Sequence, residues 1–171
     1  QVIHFDSEQL IPPANFKKIS NKLLFPHIYI KDVKCVNTEF HSRVSAISKE
    51  YHYLVDIGEF CPLKSNYRHY FHNRIDIDKI KEAMSYIEGT HDFKSFSKNH
   101  VIKNTVRTIE SFKLDVDGTL LTFKIVGTGF MYNMVRIIVA LMLKVGEGKF
   151  EPTYIKKVLD NDFILNNLVV K

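Results

Sequence analysis

The sequence predicts an α+β fold in which a largely antiparallel sheet is covered on one face by helices. Three observations carry this. Asp117-Gly118 separates two alternating runs, Thr105 to Val116 and Leu120 to Val126, and is the strongest short hairpin signal in the chain. Two stretches, Asp76 to Glu88 and Phe130 to Val145, repeat apolar residues at the three-and-four spacing of a core-facing helix. The elements also run β-α-β and then β-β-α-(short α)-β-β-α, so strands follow one another as hairpins instead of alternating strictly with helices.

In order along the chain, Val2 to Phe5 has strand character, and Ile11-Pro12-Pro13 makes an extended break that a helix can follow. That helix is Ala14 to Leu24, with Phe16, Ile19, Leu23 and Leu24 on one face and Lys17, Lys18 and Lys22 on the other. Ile28 to Val36 alternates as a strand. Within Phe40 to Gly58, Tyr51, Tyr53 and Val55 share one face of a third strand, and Asn66 to Arg74 is a short extended partner for it. The helix Asp76 to Glu88 places Ile77, Ile80, Met84 and Ile87 inward, with Gly89 at its end. In GTHDFKSF, Gly89 to Phe96, Asp92 is placed to cap a short helix. The hairpin strands then feed into Gly127 to Phe150, a glycine-bounded helix that is apolar all round from Ile137 to Leu143 and so is covered by protein on both faces. A faint boundary near Asn37-Thr38 divides residues 1–37, the remainder of an α/β subdomain, from an α+β subdomain over 38–171.

The chain has 171 residues, 45% of them hydrophobic, enough for one core or two small ones. A net charge of +5 favours an anionic partner such as nucleic acid. Cys35 and Cys61 lie far apart with no CxxC, which reads as reduced thiols in a cytoplasmic protein. The apolar run Ile137 to Leu143 is far too short to span a bilayer, and no charged leader opens the sequence, so neither membrane insertion nor secretion is expected. Gln1 leads straight into strand-like sequence and the chain stops at NNLVVK, so it reads as a fragment trimmed at both ends.

Several chemical motifs are excluded. Gly127 and Gly129 lack the third glycine of a dinucleotide fingerprint, since position 132 is Tyr132, and GEGK at Gly146 to Lys149 follows a helix where a P-loop follows a strand. GTGFMYNMV lacks the basic start of an RNA-recognition sheet motif. Of the eight histidines, the closest pair is His69 and His72, which a strand would point to opposite faces, so no metal site is expected. Arg136 stands at the edge of the all-apolar run, where its guanidinium must reach solvent or meet a carboxylate. Within this chain Asp92 is the natural partner. His41, Arg43 and Lys49 interleave with Tyr51 and Tyr53, a mixture that suits looped RNA, because phosphates take the charges and unstacked bases take the rings. The same residues also read as a solvated strand edge with packed tyrosines.

Three segments resemble one family. FHSRVSAISKEYHY is similar to the F-H-A-R-F-S-A-x-x-K-x-Y-x-Y segment of the tRNA pseudouridine synthase A family, GTHDFKSF to its G-x-H-D-F-x-S-F, and GTGFMYNMVRIIVALMLKVGEGK to its G-x-G-F-L-Y-N-M-V-R-N-I-V-G-x-L-L-x-V-G-x-G-K. QVIHF resembles the segment just after the family's catalytic loop. Ile137 and Ala140 stand where the family has Asn and Gly. The resemblance implies the pseudouridine synthase fold and isomerisation of uridine to pseudouridine in the anticodon stem-loop of tRNA, by a homodimer, with no cofactor and no metal. It implies that Tyr51 contacts the target base and that Arg136 pairs with a catalytic aspartate, in an R-T-D-x-G-V-H motif upstream of Gln1. Arg43, His41 and Lys49 would serve the RNA backbone. As given, the fragment would be inactive. Two other classes compete: a catalytically inactive RNA-binding module on the same scaffold, and a metal-dependent hydrolase built on the histidines.

Overall fold

The computed structural model describes residues 1–97 and 104–160. They form two compact units, Gln1–Ala46 and a second beginning at Ile47.

The first unit holds one helix, α1 (Pro13–Leu24), which opens with proline at its first position, where the missing N–H costs nothing. The Phe5 ring packs on Phe16 at 5.3 Å between centroids. The Asn21 side chain brackets Ile30, donating to its carbonyl at 3.0 Å and accepting its amide at 2.7 Å. The expected strands Val2 to Phe5 and Ile28 to Val36 are not hydrogen-bonded as strands. Alternation marks a face to bury, but a ladder also needs a neighbouring strand, and none of the described residues provides one.

The second unit is a five-stranded sheet in the order β2-β1-β5-β4-β3. Its strands are β1 (Lys49–Asp56), β2 (His69–Tyr70), β3 (Gly89–Asp92), β4 (Val106–Asp117) and β5 (Leu120–Gly127). Among the described residues, only β1 and β2 pair in parallel. The expected β4–β5 hairpin is present, with Gly118 at φ +57°, the left-handed turn geometry for which Asp-Gly is suited. A bulge at Glu110 breaks strict alternation, so that Ile109 and Phe112, three residues apart, both enter the core.

Among the described residues this unit also holds helices α2 (Ile77–Ser85), α3 (Met134–Gly146) and α4 (Tyr154–Leu159). Asp76 caps α2 by accepting from the amides of Asp78 and Lys79 at 3.0 and 3.2 Å. The helix stops at Ser85, short of the expected Glu88, and Gly89, at φ +108°, opens β3 instead of closing a helix. The expected short turn is present at Lys94–Phe96, but its N-cap is Phe93 and not Asp92, which ends β3 and accepts the Lys94 amide at 3.0 Å. The helix α4 was not expected from the pattern.

The core lies on the sheet face carrying Val55, Leu121, Phe123, Ile125 and Ile109, against Ile80, Met84, Ile138, Leu141 and Val145 of the helices. Each large aliphatic side chain buried there contributes about 1.5–3 kcal/mol. All of α3 is buried apart from Arg136 and Lys144, so the apolar run is covered on both sides, as its composition requires. The other sheet face carries charge: His52 Nε2 lies 2.6 Å from Glu50, and Lys124 pairs with Asp115.

Candidate active site

β1 becomes more buried along its length on one face. Tyr51 is 48% exposed, Tyr53 is half-buried and Val55 is fully buried. The register sets Tyr51 opposite Ile125 and Lys49 opposite Gly127, so Lys49 and Tyr51 lie on the helix-bearing face where β5 runs out into the loop Gly127–Asn133. Gly127 is required there. A β-carbon on it would lie 2.6 Å from the Thr108 carbonyl oxygen.

That loop returns Phe130 to the sheet, where its ring meets Tyr51 edge-on. Periodicity assigns Phe130 to the helix stripe, but α3 begins four residues later, after Asn133 in the left-handed conformation at φ 60°. Asparagine tolerates this better than most residues. The aromatic partner of Tyr51 was therefore missed by periodicity, although the two glycines before it signal the loop.

Arg136 lies in the first turn of α3 between the buried Val135 and Ile137, and its side chain is exposed. No side chain caps this helix end. A guanidinium beside uncapped helix amides makes a strongly positive position, to which an anion is the natural complement. Asp92 is not that anion. Its Oδ1 accepts from the Lys94 amide and from Thr105 Oγ1 at 2.5 Å, and no ion pair joins it to Arg136. Burial pushes the Tyr53 phenol up in pKa, and the charge of Arg136 opposes part of that rise. Tyr53 thus lies within the field of Arg136, on the same strand face as Tyr51.

His41 and Arg43 belong to the first unit. There His41 Nδ1 accepts from the amides of Arg43 and Val44 at 3.2 and 3.3 Å, so the ring braces its own turn. Arg43 is exposed. Among the described residues no three His, Cys, Asp or Glu side chains are gathered to hold a metal ion, and no helix is long and apolar enough to cross a membrane.

The fold defines an α+β protein of the pseudouridine synthase type, with Tyr51 and Phe130 in edge contact on the helix-bearing sheet face and Arg136 exposed in the first turn of α3. Residues 83–163 match the family described as tRNA pseudouridine synthase. The chain is 39% identical over 162 residues to the tRNA pseudouridine synthase A of Clostridium kluyveri, covering 94% of this chain and 66% of the relative. It is 42% identical over 161 residues to that of Bacillus licheniformis, covering 93% and 65%. With the protein of that name from a Geobacillus strain it shares 43% identity over 151 residues, 87% of this chain and 61% of the relative. The chain belongs to the tRNA pseudouridine synthase family. It spans just under two thirds of the length of these relatives.

Proposed function

We propose that the complete protein isomerises uridine to pseudouridine in the anticodon stem-loop of tRNA, and that this chain supplies the wall and the cation of its active site. The reaction breaks the N1–C1′ bond, turns the uracil and forms the C5–C1′ bond; C5 gives up a proton and N1 gains one, so no net atom or electron enters. It needs a carboxylate acting as nucleophile or base, held ionised at the sugar. The observation that supports the reading is Arg136, the exposed charge in the first turn of a buried helix that follows the loop bringing Phe130 to Tyr51, with Tyr53 of the same strand face within its field. Its partner would be the aspartate that the family resemblance places outside this sequence. A guanidinium keeps a carboxylate ionised and, by its planar fork, oriented.

The target uridine sits in a stacked stem and must be extruded, at a cost of about a few kcal/mol. In this reading the Tyr51 ring, steadied by Phe130, receives the flipped base, and its hydroxyl takes part in proton transfer. Lys49, Arg43 and His41 serve the RNA backbone. The protein works as a homodimer in the cytoplasm with neither cofactor nor metal.

The test is pseudouridine formation on unmodified tRNA by the full-length protein, with EDTA present and the modified positions mapped. Product in the anticodon stem-loop, undiminished by EDTA, supports the reading. Tight tRNA binding with no product assigns the protein to the inactive RNA-binding class instead.

A further inference from the structure

We infer that Arg107 is a further RNA anchor, holding a backbone phosphate beside the target nucleotide; this rests on the tRNA reading proposed above. The sheet register places it. Gly127 pairs with Lys49 on one side and with Ile109 on the other. Ile109 pairs with Gly89, and Arg107 with His91 in the next row on the same face. Lys49 and Arg107 therefore lie on opposite sides of the glycine loop, on the face that carries Tyr51.

Two bonds hold β4 beside that loop beyond the regular ladder. Thr128 donates its amide to the Thr108 carbonyl at 3.1 Å, and the Thr108 amide reaches Thr128 Oγ1 at 3.4 Å. Arg107 consequently lies over Gly129, where a β-carbon would sit 3.8 Å from its Nε. The Arg107 side chain thus lies in van der Waals range of the loop at Gly129.

The guanidinium is preorganised but uncompensated. Nη1 donates to the carbonyls of Asn104 and Val106 at 3.2 and 2.6 Å. These neutral acceptors fix its orientation without cancelling its charge, and among the described residues no carboxylate pairs with it. Arg107 is half-buried, so part of the residue stays accessible. A planar, oriented fork beside a base-binding wall matches a phosphate oxygen pair. With Lys49 across the loop, the two cations bracket the strand on either side of an extruded nucleotide.

The experiment measures tRNA affinity of the full-length protein as a function of salt for wild type, Arg107→Gln and Arg107→Lys, with thermal unfolding and pseudouridine formation followed on the same samples. R107Q is expected to weaken binding about tenfold and to lower the slope of log affinity against log salt by about one. R107K keeps the charge and loses the carbonyl bonds, so it is expected to retain the wild-type slope. An R107Q protein with unaltered affinity and slope overturns the anchor. So does an R107K protein that matches R107Q in affinity while the slope stays at its wild-type value in both, because Arg107 is then a brace for the loop. Should R107Q fail to fold, the R107K slope and mapping of phosphate ethylation interference on wild-type complexes decide the question. Interference at no phosphate flanking the target overturns the anchor. Absence of product from wild type sinks the isomerase reading, whereas product with binding indifferent to R107Q sinks the anchor alone.

Discussion

The ring of Phe130 stands edge-on to that of Tyr51, with centroids 5.0 Å apart and planes at 77°. The contact joins β1 to the loop ahead of α3, and so couples the exposed tyrosine to the segment that sets the direction of Arg136. Tyr51 remains 48% exposed beside this contact.

Tyr51→Phe keeps this ring contact and removes only the hydroxyl. In the full-length protein it should fold with a melting temperature within about two degrees of wild type and lose about 10²-fold in kcat, the low end of what a proton-transfer group contributes. A large loss of thermal stability with catalysis intact would show that Tyr51 serves packing.

Arg136→Ala removes an exposed charge from an otherwise buried helix, so little stability is lost. Turnover should fall by at least about 10²-fold, as expected when a reacting group loses its positioning. Affinity for tRNA should change by less than about threefold, within the modest contribution of one exposed charge. Single-turnover kinetics and filter binding separate the two effects, and full activity in the variant would refute the assigned role.

Asp56 holds together β1, β2 and the β4–β5 turn. Its side chain is 9% exposed and accepts from Arg68 Nη1 at 3.0 Å, from Thr119 Oγ1 at 2.9 Å and from the Gly58 amide at 3.0 Å. Asp56→Ala leaves Arg68 without its partner and should cost about 3 kcal/mol, measured by urea unfolding at pH 7. Burial pushes the Asp56 pKa up, but the bonds from Gly58, Thr119 and Arg68 outweigh it and hold the carboxyl below its ordinary 3.8. The folded pKa lies below the unfolded one, so the stabilisation is fully present above the unfolded value and is lost as pH falls through the folded value. Wild type should therefore lose stability more steeply than the variant below about pH 4. Parallel acid unfolding curves for the two would contradict this.

Gly127→Ala places a β-carbon against the Thr108 carbonyl, a backbone atom that cannot turn aside. The substitution should cost about 1–3 kcal/mol as an overpacked site and shift the loop carrying Phe130. Both thermal unfolding and pseudouridine yield should report it. Retention of wild-type yield would show that the loop tolerates displacement.

The sequence by itself determined whatever is encoded in local chemistry. Asp-Gly set the hairpin, Asp76 the start of α2, and the all-apolar run a helix covered on every side, because turn geometry, capping and burial act over a few neighbouring residues. The exposed position of Arg136 was legible for the same reason, as one charge that an apolar stretch cannot absorb. Only the tertiary structure decided which residues meet across strands. Phe130 left the helix stripe to face Tyr51 because Asn133 breaks the chain's direction there. Asp92, the one plausible internal partner for Arg136, was taken instead by Thr105 and the Lys94 amide. The bulge at Glu110 turned Phe112 inward, and the register of β3, β4 and β5 brought Arg107 over Gly129. Such contacts depend on pairing between residues far apart in the chain, and strand register is the sum of many weak choices that no short stretch of sequence carries.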